Sequence, residues 1–258
     1  MADYQTHIES LIQQLEFPGP PKLREACLYA LSTGGRRFRP QIVYQVAEAL
    51  GTASVDEAAL AVELFHTASL IADDLPCMDN ESMRRGKTSL HRMFDEKTAL
   101  LVTYALIAEA YAKLQQGSPK QLLPLVIEQA SKNTGMGGAT SGQFLDLDIK
   151  EHEEKIEHVL YLKTGSLFEL SFVVGWLLGG GEVKALEKVR QTAYHFGLAF
   201  QISDDIDDYE SDVGKRYNYA RSQGLSKAHQ RLDEELMCLK QYLVELGISK
   251  LYPLVHRS

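Results

Sequence analysis

Apolar and polar residues follow a helical period along nearly the whole chain. In "DEAALAVELFHTASLIADD" (56–74), Leu60, Leu64, Ala68 and Ile71 recur at steps of four, four and three, the stripe of a 3.6-residue helix. The same period runs through "EKTALLVTYALIAEAYAKL", "EEKIEHVLYLKTG", "VKALEKVRQTAYHFGLAFQISDDIDD" and "KAHQRLDEELMCLKQYLVELG". Breaks fall where glycine and proline gather, in "FPGPP" (17–21), "STGG" (32–35), "GSP" (117–119), "TGMGG" (134–138) and "LGGGE" (178–182). No run joins β-branched alternation to hairpin glycines, and no fixed-period repeat or long linker divides the chain. The pattern predicts an all-α fold, a single-domain bundle of about ten helices over residues 1–258.

Composition alters this picture little. A chain of 258 residues, 45% hydrophobic and 24% charged, can bury one sizeable core. Its most apolar stretch, "LFELSFVVGWLLGGG", carries Glu169 and is too short for a transmembrane segment, so it predicts a core helix. A net charge of −8 argues against a nucleic-acid partner. Cys27, Cys77 and Cys238 are few and odd in number, which fits a reducing compartment. The start, "MADYQTHIESLIQQLEF", lacks the basic and apolar regions of a signal peptide. A cytoplasmic location is the expectation.

The chemistry-bearing residues concentrate in two acidic clusters. The first, "DDLPCMDNESMRRGK" (73–87), joins Asp73, Asp74 and Asp79 to Arg84 and Arg85. In the second, "FQISDDIDDYESD" (200–212), Gln201, Asp204, Asp205 and Asp208 fall at i, i+3, i+4 and i+7 and share a helix face. Like charges at that spacing repel, and a divalent cation reverses the penalty. Magnesium takes hard oxygen ligands, usually few carboxylates together with substrate phosphates. A solvated acidic face is the competing reading of either cluster alone. Both clusters follow long apolar helices, and facing one another they would form a metal–diphosphate clamp. Cations for the phosphates lie in separate patches: Arg36, Arg37 and Arg39 in "GGRRFRP", Arg84 and Arg85, Lys163 in "KTG", and Lys215.

Taken in order, these motifs resemble the trans-type (head-to-tail) isoprenyl diphosphate synthases, which include geranyl, farnesyl and geranylgeranyl diphosphate synthases. The resemblance rests on "GGRRFRP", DD-x4-D followed by Arg84-Arg85-Gly86, Gly142-Gln143 with Asp146, the 163–165 KTG, and FQ-x2-DD-x2-D from Phe200 to Asp208. It implies an isoprenoid synthase-like fold around a deep central pocket, a homodimer, and transfer of an allylic group (C5–C15) onto isopentenyl diphosphate with release of pyrophosphate. By the same resemblance Asp73, Asp74 and Asp79 bind two magnesium ions, and Asp204, with Asp205 and Asp208, serves a third, manganese being a substitute. Arg84, Lys163 and Lys215 contact the allylic diphosphate; Arg36, Arg39, His66 and Arg85 hold that of isopentenyl diphosphate. Lys163, Thr164 and Gln201 form the catalytic group, the last two near the developing cation.

Ala68 and Ser69, just before the first motif, are the chain-length positions the resemblance implies. Farnesyl-forming bacterial relatives often carry an aromatic where Ala68 stands, so alanine points to a C20 product over C15, with Phe65 or Tyr104 as alternative floors. The sequence departs from the family pattern at Arg36 (usually lysine), Ala72 (histidine), Thr88 (proline) and Tyr104 (aspartate), and the segment after Lys215 is short. Two rivals remain. A class I terpene cyclase needs no second diphosphate pocket, and a non-catalytic partner subunit tends to have lost acidic ligands.

Overall fold

The computed structural model describes residues 4–52, 54–147, 156–211 and 218–251. Helices make up nearly all of them, as the periodicity predicts. Contacts divide the chain into two units, Met1–Tyr44 with Ala53–Ile127, and Gln45–Thr52 with Glu128–Ser258.

The first unit holds α1 (Tyr4–Gln13), α2 (Pro21–Leu31), the start of α3 (Phe38–Ala49), α4 (Asp56–Asp73), α5 (Leu90–Met93) and α6 (Glu96–Gly117). Its centre is α4 against α6. The stripe of Leu60, Leu64, Ala68 and Ile71 is buried there, as are Ala99, Val102, Leu106, Ala110 and Leu114 from α6. The alanines let the two backbones approach. Phe65 meets Tyr111 edge to face, with ring centroids 5.0 Å apart. Asp95 caps α6 by accepting the Thr98 N–H at 2.7 Å, and bonds from Thr98 and Lys22 hold its carboxyl below the usual carboxylate range.

One element was not expected. Met83–Arg84 and Lys87–Thr88 pair as a two-stranded antiparallel hairpin. Arg85 and Gly86 form its turn, with φ of 52° and 76°, the positive values a two-residue hairpin turn requires.

The second unit holds α8 (Ala139–Leu147), α9 (Ile156–Leu160), a π-helical turn (Tyr161–Gly165), α10 (Ser166–Leu178), α11 (Leu186–Asp207), α12 (Tyr219–Gln223) and α13 (Leu225–Glu245). The apolar stretch read as a core helix is α10, buried from Ser166 to Leu177. Phe168 and Phe172 pack on Phe196 of α11 at 5.1 and 5.4 Å between centroids. α11 also packs along α13. α7 (Leu123–Thr134) belongs to the first unit up to Ile127 and to the second from Glu128. Among the described residues no helix is long and apolar enough to cross a membrane.

Candidate active site

In the first unit, α4 ends at Asp73, and the loop after it curls back. The Asp79 N–H donates to the Asp73 carbonyl at 3.0 Å, and the Asn80 N–H to that of Leu75 at 3.1 Å. This closure returns Asp79 to Asp73, and both are half-buried. Asp74 differs. It is only 3% exposed, and its carboxylate accepts the Arg84 Nε–H at 3.0 and 3.2 Å, with Arg84 Nη2 also in contact. Burial pushes the Asp74 carboxyl up, against the pull of Arg84.

The hairpin turn sends the next arginine elsewhere. Arg85 donates through Nη1 to the Gly34 carbonyl at 2.5 Å, and its Nη2 lies 3.1 Å from His66 Nε2. Arg39 Nη1, from α3, reaches the same nitrogen at 3.3 Å. A guanidinium has no acceptor, so His66 Nε2 must accept and the ring is neutral. Burial, then the charges of Arg39 and Arg85, hold its pKa well below the usual histidine value. Gly35, with φ of 116°, allows the approach: a Cβ there would stand 2.5 Å from the Arg85 guanidinium. Arg39, His66 and Arg85 thus converge on one cationic nest beside a glycine turn.

The three arginines of "GGRRFRP" separate. Arg36 is exposed, its guanidinium 4.7 Å from the Phe38 ring centroid. Arg37, read from the sequence as a phosphate-facing cation of that patch, points into the protein. Its φ of 50° turns it inward, where it bonds Glu9 at 2.7 Å, the Leu31 carbonyl at 2.6 Å, and buried Glu63. Ala68 is buried on α4, and the Ser69 hydroxyl donates to the His66 carbonyl at 2.8 Å. Of the alternative floors, Phe65 is buried and Tyr104 is 60% exposed.

In the second unit, Lys163 and Thr164 lie in the π-turn, a form of helix that is rare and common at functional sites. Lys163 Nζ donates to Asp146 Oδ2 at 2.6 Å. That partner was not assigned a role from sequence, although the GQ-x2-D motif contains it. The motif's glycine has a steric reason: a Cβ on Gly142 would come 2.1 Å from the Lys163 amide nitrogen, so α8 touches the turn backbone to backbone. Gly197 does likewise from α11, where a Cβ would lie 3.0 Å from Gly165 Cα.

The second acidic motif also splits. Asp205 is 6% exposed and accepts the Tyr219 N–H at 2.7 Å and the Gln201 side-chain amide at 2.9 Å. Its carbonyl accepts from Asn218 at 2.7 Å. Asp204 is half-buried and Asp208 is exposed at the end of α11. Lys215 lies outside the described residues.

Each motif therefore turns one aspartate of its doublet, Asp74 or Asp205, onto protein donors. Among the described residues no three acidic, histidine or cysteine side chains form a metal site on their own. The donor set still fits magnesium, which takes a few hard carboxylate oxygens and fills its shell from water and substrate phosphate.

The polyprenyl synthetase family model matches residues 20–218. Geranylgeranyl pyrophosphate synthase 4 of Arabidopsis thaliana is 36% identical over 258 residues, 92% of this chain and 69% of that protein. Farnesyl diphosphate synthase of Geobacillus stearothermophilus is 36% identical over 215 residues, 80% of this chain and 72% of that one. Among solved structures, an FPP/GFPP synthase from Zymomonas mobilis matches with a TM-score of 0.89 at 30% identity, covering 100% of this chain and 96% of its own. A geranyltransferase from Helicobacter pylori, complexed with magnesium and isoprenyl diphosphate, gives 0.86 at 26% identity, covering 98% and 93%. The chain belongs to the polyprenyl synthetase family and is a prenyltransferase of the short-chain trans-prenyl diphosphate synthase group, with the all-α isoprenoid synthase fold. The family uses magnesium with diphosphate substrates.

Proposed function

We propose that this enzyme condenses an allylic diphosphate with isopentenyl diphosphate, releases pyrophosphate, and makes geranylgeranyl diphosphate as its main product. The observation that carries the reading is the nest of Arg39, His66 and Arg85. A terpene cyclase has no need of this second cationic site beside the one that Arg84 and the first aspartates supply. In this reading Arg36 joins the nest at its exposed side, and neutral His66 contributes its ring N–H. The nest holds the isopentenyl diphosphate so that its double bond faces the allylic carbon, an arrangement that removes much of the entropic barrier.

Asp73, Asp79, Asp204 and Asp208 would hold magnesium, with Asp74 and Asp205 bracing the loops behind them. Bound metal supplies neutralisation of the charge that grows on the leaving pyrophosphate. Arg84, Lys163 and Lys215 contact the same group, and Asp146 orients Lys163. Thr164 and Gln201 present dipoles to the allylic cation, and apolar walls keep water from it. The departing pyrophosphate takes the proton that the condensed product loses. Buried, small Ala68 leaves room for a C20 tail. The enzyme acts as a single synthase domain, a homodimer of the cytoplasm, with manganese able to replace magnesium.

The test is product chromatography after incubating labelled isopentenyl diphosphate with C5, C10 and C15 primers and magnesium. The expected result is a prenyl diphosphate series ending at C20. Hydrocarbon released from an allylic diphosphate alone would make the protein a cyclase. Activity seen only after adding another synthase would make it a partner subunit.

A further inference from the structure

The reaction scheme leaves Tyr161 without a task, yet Tyr161 is where the π-turn starts. Its carbonyl accepts the Ser166 N–H, the five-residue step that defines the turn. Its hydroxyl donates to Glu169 Oε2, in the first turn of α10. Glu169 is 1% exposed, an expensive site for a carboxylate unless cations compensate it. Here they do: Lys132 Nζ lies 3.2 Å from Oε1 and Arg190 Nε 3.7 Å. Arg190 is itself fixed by Gln129 at 3.0 Å. On its other side the Tyr161 ring covers Gly165, whose Cβ would stand 2.6 Å from ring carbon Cδ2. Tyr161 is thus tied at its carbonyl, its ring and its hydroxyl, and Lys163 and Thr164 sit between the ties. Burial and the Glu169 charge push the phenol's pKa up, so the hydroxyl keeps its proton.

A π-turn inserts one residue into a helix, which rotates the side chains that follow it relative to an uninterrupted α-helix. Something must keep that register, because the α-helix is the more favourable form. We propose that Tyr161 and Glu169 are positioning residues that lock the π-register and so aim Lys163 at the allylic diphosphate. This inference rests on the role given to Lys163 above, and it adds a task for a network centred on buried Glu169 to which the proposed reaction gives no other part.

Steady-state kinetics with each substrate varied in turn test it, on Tyr161→Phe, Glu169→Gln, Lys163→Ala and the double variant Tyr161→Phe/Lys163→Ala. Tyr161→Phe should raise the KM for the allylic diphosphate roughly ten-fold, as loss of a hydrogen bond to a charged group does, and leave that for isopentenyl diphosphate within about two-fold. Added to Lys163→Ala, it should cost nothing further, because both act through one ammonium. Equal losses for both substrates, or additive losses in the double variant, would overturn the inference. If Lys163→Ala weakens allylic binding and Tyr161→Phe does not, the clamp alone is wrong. If Lys163→Ala changes nothing, the role of Lys163 falls and the inference falls with it. Should Glu169→Gln not fold, Tyr161→Phe still decides, since it removes one oxygen and keeps the ring.

Discussion

Arg37 offers a sharp test of how the cationic nest is built. Its side chain is 0% exposed and that of Glu63 is 1%, while Glu9, the second partner, is 32% exposed. Glu63 Oε2 already lacks a hydrogen bond, so Glu63 depends on Arg37. Replacing Arg37 by methionine keeps most of the volume but strands a buried carboxylate, a change that costs about 3–5 kcal/mol. At about 2–4 °C per kcal/mol for a chain of this size, the melting midpoint should fall by roughly 6–20 °C. Thermal melts followed by circular dichroism would measure it. The double variant Arg37→Met/Glu63→Met removes both charges, and should recover to within about 2 kcal/mol of the parent. If Arg37→Met costs less than about 1 kcal/mol, or the double variant loses the sum of both single losses, the ion pair does not hold this corner.

Asp73→Ala and Asp204→Ala should each cut turnover by about three orders of magnitude or more and leave the melting midpoint almost unchanged, whereas Asp205→Ala should also cost about 1–3 kcal/mol, since it uncaps the Tyr219 N–H. His66 titrates well below its usual value in the folded protein. Its contribution to stability is complete above the unfolded value near 6.5 and is lost as pH falls from there towards the folded value, by at most about 1.4 kcal/mol per pH unit. Denaturation midpoints between pH 7 and pH 5 should therefore flatten in His66→Gln; an unchanged slope would mean that the ring titrates alike in the folded and unfolded chain. Ala68→Phe should shift products towards C15, and an unchanged chain length would remove Ala68 as the wall.

Much of the fold was legible because burial leaves a period in the sequence. The α4 stripe and the apolar run of α10 fall where that period sets them. The aspartate motifs were equally visible, being local. The splitting of each doublet was not, because it depends on partners distant in sequence: Asp205 turns to Tyr219, and Asp74 to Arg84 across the hairpin. By spacing alone Asp204 and Asp205 share a helix face. Arg36, Arg37 and Arg39 are chemically alike, and only the backbone at Arg37 sends it inward. The hairpin escaped notice because two-residue strands are too short to show alternation. The π-turn lies between helices with apolar residues on both sides, so one inserted residue leaves no gap in the pattern.

Gly142 sets a limit on how this enzyme can be engineered. Where α8 meets the amide of Lys163 there is no side chain to trim and no slack to take up, so even a methyl group would force two main chains apart. The main chain that carries Lys163 is therefore fixed in place. Under the proposed reading, in which Ala68 bounds the growing tail, attempts to alter what the protein makes are better directed at that replaceable side chain.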